Sequence, residues 1–130
     1  MPFINDEVFD SGLDNLDTNG TRLDITVGEA TTYTQATGTY NGTTQLSCGN
    51  DTVNTGAPAA GSPSGRGVTV PAISAGTVTA SQTASHWALT DGASVLWATG
   101  ELSASQAVTS GNTFTLDAIT ITIIDAVSVT

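Results

Sequence analysis

The sequence has little charge of any kind and almost none that is positive. It contains no lysine, and its two basic residues, Arg22 and Arg66, stand against twelve acids in a chain with a formal net charge of -10. Nucleic-acid binding depends on a basic surface that neutralises phosphates, and an anionic membrane surface repels a chain of this charge. We therefore expect neither nucleic acid nor a membrane among the partners.

Cysteine and long apolar runs are also scarce. Cys48 is the only cysteine, so no internal disulfide can form and no oxidising compartment is implied. No apolar run approaches the roughly 20 residues that a membrane-spanning helix needs. The first residues lack both a basic region and a long apolar stretch, which predicts no signal peptide and synthesis without export.

Few side chains offer catalytic or metal-binding chemistry. His86 is the only histidine, and residues 61–65 place Pro63 where a nucleophile elbow needs serine. One cysteine and one histidine do not supply the three or four ligands of a zinc site, and nothing selects two facing carboxylates among the twelve acids. We predict a protein that is not an enzyme, with no catalytic residue, no metal and no cofactor.

The abundant residues are threonine, serine, glycine, alanine and valine, which favour strands joined by turns. Residues 21–27 alternate apolar and polar side chains, which is typical of a half-buried strand. Residues 85–90 and 94–99 flank Asp91 and Gly92 and predict a hairpin, with Trp87 and Trp97 joined across it. The sequence therefore predicts a mainly β fold, an antiparallel β sandwich or barrel.

Weaker patterns predict the remaining strands. We place them at residues 31–37, 43–48, 68–73, 77–81, 106–109 and 113–124. A turn is expected at residues 74–76, with Pro71 marking a break or an edge strand. In residues 113–124, the apolar side chains before Asp117 face one way and those after it face the other. A bulge near Asp117 would reconcile the two.

One helix is predicted, over residues 4–18. Val8, Phe9 and Leu13 share one face, Asn5 is a candidate N-cap, and the pair that follows Thr18 supplies a C-terminal stop. The chain then divides into a helix or arm at residues 1–20 and a β domain at residues 21–130. Within the β domain, residues 49–67 show no apolar periodicity and predict a long loop.

Several short segments resemble small β-rich virion structural proteins of tailed bacteriophages. They are Phe-Ile-Asn-Asp-Glu-Val-Phe-Asp at 3–10, Thr-Arg-Leu-Asp-Ile at 21–25, Glu-Ala-Thr-Thr-Tyr at 29–33, Gly-Arg-Gly-Val-Thr-Val at 65–70, His-Trp-Ala-Leu-Thr-Asp at 86–91 and Ser-Gly-Asn-Thr-Phe at 110–114. The resemblance covers nearly the whole chain. It implies a component of the virion, made in the cytoplasm of the host bacterium.

Among virion roles, the resemblance favours a head decoration (cement) protein on the outer head surface. Such a protein binds the major capsid protein and stabilises the shell, often as a homotrimer, and needs surface that can be buried against neighbours. The N-terminal helix and the 49–67 loop are the expected contact elements, with Arg66 as a bidentate partner for an acidic shell residue. The candidate interface residues are Phe3, Ile4, Val8, Phe9, Leu13, Pro58, Pro63 and Arg66.

Two alternatives belong to other classes of function. A tail-fibre or spike module would bind host glycan, and Trp87, Trp97 or Tyr40 could stack on a sugar. An exposed tryptophan in a groove would favour that module. A hydrolase is the third class, and it would require His86 beside a carboxylate and a serine in one cleft.

Overall fold

The computed structural model describes residues 5–38, 46–62 and 64–124 of the chain. The fold is mainly β, with 49% strand and 17% helix, and its curled antiparallel sheets form a half-barrel, which confirms the predicted fold class. In that part of the chain, no helix has the length and apolar character to cross a membrane. The elements are α1 (Asp6–Asn19), β1 (Arg22–Thr26), α2 (Tyr33–Thr37), β2 (Ser47–Thr52), β3 (Ala59–Ala60), β4 (Arg66–Val70), β5 (Ile73–Val78), β6 (Gln82–Thr90), β7 (Leu96–Val108), β8 (Thr113–Leu116) and β9 (Ile119–Ile123).

Two sheets enclose the main core. The larger has six strands in the order β7-β6-β1-β2-β5-β8, and the smaller has three in the order β3-β4-β9. Leu23 and Ile25 of β1 are fully buried in this core and lie opposite Leu89 and Trp87 of β6. Ile121 of β9 packs on the same core from the smaller sheet. Burial of such side chains is the main term that stabilises the fold.

Helix α1 confirms the predicted helix. The side chain of Asn5 accepts a hydrogen bond from the backbone N–H of Glu7 at 2.9 Å, as an N-cap should. At the other end, the backbone N–H of Gly20 donates to the carbonyl of Leu16. The helix packs on β4 and buries Phe9 and Leu13. Its partner is therefore the β structure of its own chain.

Strand β1 lies where it was predicted, but it is not half-buried. Asp24 and Thr26, expected to face solvent, are fully buried. A second, smaller cluster covers this face of the sheet; it contains Ala30, Ala36 and Ala88, with Leu46 and Leu96 packed against it. Strand β1 is therefore enclosed on both faces.

Residues 31–37 were predicted as a strand and instead form the short helix α2. The side chain of Thr32 caps the helix by accepting from the backbone N–H of Gln35 at 3.2 Å. Ala36 is fully buried, so the helix is fixed by tertiary packing that overrides the strand propensity of threonine. Of the next predicted strand, residues 43–45 lie outside the described residues, and β2 begins at Ser47.

The predicted hairpin is confirmed as β6 and β7, although both strands extend beyond the predicted limits. One Asp91 side-chain oxygen accepts from the backbone N–H groups of Ala93, Ser94 and Val95 at 2.8 to 2.9 Å, which builds the connecting loop. These bonds lower the pKa of Asp91. Trp87 lies opposite Gly100 and not opposite Trp97, so the expected tryptophan pair was wrong.

The segment 49–67 is only partly the loop that was predicted. Strand β2 runs to Thr52, and the short strand β3 pairs with the start of β4. Gly65 has a positive φ of 78°, and a Cβ at this position would clash with the Ile123 carbonyl oxygen. Close approach of β9 therefore requires glycine at this position.

The turn predicted at residues 74–76 was wrong, because these residues lie within β5. The chain breaks earlier, at Pro71 and Ala72, which agrees with the expectation for that proline. Gly76 lies beneath Phe114 of β8, and an added Cβ would come within 2.3 Å of the ring. At Asp117 and Ala118 the chain leaves the larger sheet and enters the smaller one as β9, in place of the predicted bulge.

Candidate functional site

The two arginines are both held in ion pairs within the chain. Arg66 binds the two carboxylate oxygens of Asp10 on α1 at 2.8 and 3.2 Å, and it also donates to the carbonyl of Pro58 at 3.3 Å. The hydrogen bond with Asp10 is the main cause that raises the pKa of Arg66, and the negative charges of Asp10 and Asp6 act in the same direction. The bidentate carboxylate predicted for Arg66 is thus supplied here by its own chain.

Arg22 makes the second pair, with buried Asp24. Its guanidinium donates to both Asp24 oxygens at 2.9 to 3.2 Å and to the carbonyl of Thr37 at 3.3 Å. Ser47 donates a further bond to Asp24 at 3.2 Å. Burial raises the pKa of Asp24 to about 6, although Arg22 and Ser47 act in the opposite direction.

The predicted interface residues divide into three groups. Phe9 and Leu13 are buried inside the fold, whereas Val8 on the same helix is 65% exposed. Pro58 is half-buried and its carbonyl accepts a hydrogen bond from Arg66, which in turn pairs with Asp10 of α1. Phe3, Ile4 and Pro63 lie outside the described residues.

The flank of α1 that carries Asp10 is acidic. Asp6, Glu7, Asp14 and Asp17 lie on this helix with Asp10, and Asp10 alone bonds to an arginine. Three- and four-residue spacing places several of these carboxylates next to one another, which disfavours the helix through like-charge repulsion. We call the acidic group formed by Asp6, Glu7, Asp14 and Asp17 the α1 surface; Val8 lies elsewhere on the circumference of the helix.

A groove of about 400 Å³ lies where the half-barrel stays open between β7 and β8. One wall is the β7 segment from Leu102 to Ala104, and the other runs through Asp117 at the corner between β8 and β9. Gln106 closes one end by donating from Nε2 to the carbonyl of Thr115 at 3.1 Å. The full lining is Trp87, Glu101, Leu102, Ser103, Ala104, Gln106, Thr115, Leu116, Asp117, Ala118 and Ile119.

A bulge in β7 forms one wall of this groove. Gln106 pairs with Ala84 and Glu101 with His86, so the stretch from Leu102 to Ser105 faces Ser85 alone. Trp87 lines the groove but is only 8% exposed, and its indole lies against Gly100, where a Cβ would come within 2.7 Å of the ring. The indole N–H of Trp97 is buried without a hydrogen-bond partner among the described residues.

His86 has both a serine and a carboxylate nearby. Its Nδ1 lies 2.8 Å from Ser85 Oγ, and its Nε2 lies 3.9 Å from Glu101 Oε1. The second distance is too long for a hydrogen bond, and Glu101 is 84% exposed. Neither Ser85 nor His86 lines the groove, so the serine does not face this cavity. A serine, a histidine and a carboxylate are therefore close together, but they do not share the single cleft that a hydrolase would require.

Metal-binding side chains are dispersed. Residues 5–38, 46–62 and 64–124 contain no group of three or more histidine, cysteine or acidic side chains that could hold a metal ion. Cys48 is buried, and that burial raises the pKa of its thiol to about 11. A thiol held in the protonated form is a poor nucleophile and a poor metal ligand.

Sequence reasoning found α1 and the two arginines but missed the groove. Glu101, Gln106 and Asp117 were not predicted as site residues, because nothing local marks a bulge whose position depends on the register of β7 against β6. The comparisons with known proteins give no further guidance: no family model matches the chain, and neither do curated proteins or solved structures.

Proposed function

We propose that this protein is a non-enzymatic structural component of a tailed-bacteriophage virion. In this proposal it decorates the outer head shell by binding the major capsid protein, with the α1 surface as the contact. The observation that carries the proposal is the charge distribution: both arginines are paired internally, while Asp6, Glu7, Asp14 and Asp17 lie on one helix. Such a surface complements a basic patch on a larger assembly.

The proposal also has a structural rationale. Repulsion among neighbouring carboxylates of α1 falls when lysine or arginine side chains of a partner come between them. Val8 adds an exposed apolar side chain to the same helix, and burial of such a side chain contributes to affinity. A trimer would present three copies of this surface and gain from multivalency.

The direct test is reconstitution on expanded heads that lack the protein, imaged by cryo-electron microscopy. Density at regular lattice positions is expected for the unmodified protein. The variant Glu7→Gln with Asp14→Asn should bind about tenfold more weakly, since each exposed ion pair contributes modestly. The control Glu29→Gln removes one exposed charge outside α1 and should bind as well as the parent.

Two outcomes would contradict this proposal. Bare heads at saturating protein would exclude decoration of the head, and full binding by the α1 variant would exclude this surface. Light scattering on the free protein tests the trimer separately, with a mass of three chains expected at micromolar concentration.

A tail-fibre or spike module that binds host glycan is the second candidate. It is favoured by the groove itself, which contains Glu101, Gln106 and Asp117, and amide and carboxylate side chains can bind sugar hydroxyls. The exposed tryptophan expected for this module is not found at Trp87, which is 8% exposed. Binding of host surface polysaccharide by the protein, with no density on heads, would support this candidate.

A further inference from the structure

Within residues 5–38, 46–62 and 64–124, the open seam of the half-barrel leaves two strand edges without a neighbouring strand. Strands β7 and β8 are the outermost strands of the larger sheet, so each is paired along one side only in this part of the chain. Their direct link among the described hydrogen bonds is the one from the Gln106 side chain to Thr115. Unpaired strand edges present backbone donors and acceptors to which another extended chain can bind.

The bulge makes part of β7 especially accessible. From Leu102 to Ser105 the strand has no register partner in β6 beyond Ser85, and Ser103, Ala104 and Ser105 are exposed. Edge strands are commonly protected by lysine, proline, a bulge or a covering element. This segment has the bulge but contains neither lysine nor proline, so its outer backbone edge carries no side chain that blocks pairing.

The groove beside this edge is apolar at its base and acidic at its rim. Leu102, Leu116 and Ile119 line it together with Trp87, while Glu101 and Asp117 are both exposed. Such a site suits a lysine or arginine side chain, whose aliphatic stem packs on apolar surface while its charged head meets carboxylates.

We propose that this groove binds an extended cationic segment of another protein. The segment pairs as a strand with β7 along Leu102 to Ser105 and places a lysine or arginine between Glu101 and Asp117. This mode of recognition combines main-chain hydrogen bonds with a pocket for a single side chain. A second copy of this chain does not supply the cation, because it has no lysine and pairs Arg22 and Arg66 internally.

A polypeptide fits the groove better than a glycan does. Sugar stacking needs an open aromatic face, but Trp87 is largely buried and has its indole against Gly100. The unpaired backbone of the bulge has instead the donors and acceptors that a strand requires. The inference does not depend on decoration of a phage head, since it concerns a different surface from α1.

Peptide titration tests the inference. The full-length protein would be titrated with an acetylated Thr-Val-Lys-Val-Thr peptide and with the same peptide carrying glutamate in place of lysine. Only the lysine peptide should bind by calorimetry, and its nuclear magnetic resonance shifts should map to residues 102–105 and 115–119. The variant Glu101→Gln with Asp117→Asn should weaken binding about tenfold.

The matched control is Glu7→Gln with Asp14→Asn, which removes the same charge from the α1 surface and should leave peptide affinity unchanged. No detectable binding at millimolar peptide would overturn the inference, as would equal binding of the glutamate peptide or shifts that map elsewhere. Binding of neutral oligosaccharides in the groove, without the lysine peptide, would assign the site to glycan. Loss of head binding in the α1 variant alone leaves this result intact, so the two proposals fail independently.

Discussion

Asp24 illustrates how one buried carboxylate connects three segments of the chain. It bonds to Arg22 on its own strand and to Ser47 on β2, while Arg22 reaches the end of α2 at Thr37. In a buried ion pair of this kind, the cost of desolvating the charges opposes their Coulombic attraction. Here desolvation is the larger, because the pKa of Asp24 rises to about 6.

The raised pKa makes stability depend on pH in a defined direction. Since the folded protein holds the Asp24 proton more tightly than the unfolded chain, this residue favours folding below about pH 4 and loses that contribution as pH rises through 6. We expect the unfolding free energy of the parent to fall by about 2 kcal/mol relative to Asp24→Asn between pH 4 and pH 7. Urea unfolding of both proteins across this range measures the difference, and parallel pH profiles would contradict it.

The burial of Asp24 also shows where prediction from single residues ends. The alternation of residues 21–27 correctly predicted a strand and the inward direction of Leu23 and Ile25. It assigned Asp24 and Thr26 to solvent, because no local pattern showed that α2 and the small alanine cluster would cover the second face. The covering elements are distant in sequence, so their effect on β1 is not contained in its own alternation.

At the scale of elements, α1 and the β6–β7 hairpin were predictable and α2 was not. An N-cap, a periodic apolar face and a stop signal coincide in α1, and a turn pair between two alternating runs marks the hairpin. The sequence of α2 is rich in threonine and has one buried residue, Ala36. Its helical state follows from capping and packing, which propensity alone does not show.

The packing of α1 predicts that substitutions at two positions of this helix differ in their effect on stability. Leu13→Ala removes a side chain that is 1% exposed and should lower the unfolding free energy by about 2–5 kcal/mol. Val8→Ala on the same helix changes an exposed side chain and should stay within about 0.5 kcal/mol of the parent. Thermal and urea unfolding measure both. Similar small effects for the two variants would mean that α1 contributes little to the stability of the fold.

At the scale of the molecule, the way in which the sheets curl into an open half-barrel could not be predicted from the sequence. Mainly antiparallel β structure followed from composition and turns, but the order of the strands and the open seam depend on long-range register. The groove depends on the same register, since one of its walls is the β7 segment in which four residues face one residue of β6. Local patterns carry no information about either property.

The excess of negative charge is also a property of the whole molecule. Only two positive side chains offset twelve acids, so repulsion among the remaining carboxylates disfavours the compact state. Screening should relieve it: raising NaCl from 10 to 500 mM is expected to increase the melting temperature by about 2–5 °C. Calorimetry measures the change. A lower melting temperature in high salt would show that the two internal ion pairs outweigh the general repulsion.

The location of both tryptophans in one hairpin has a spectroscopic consequence. Trp87 lies in β6 and Trp97 in β7, while the smaller sheet contains no tryptophan. Intrinsic fluorescence therefore follows one region of the molecule, whereas far-ultraviolet circular dichroism follows all of the strands. Superimposable unfolding curves from the two signals would indicate that the sheets on either side of the core melt as one cooperative unit.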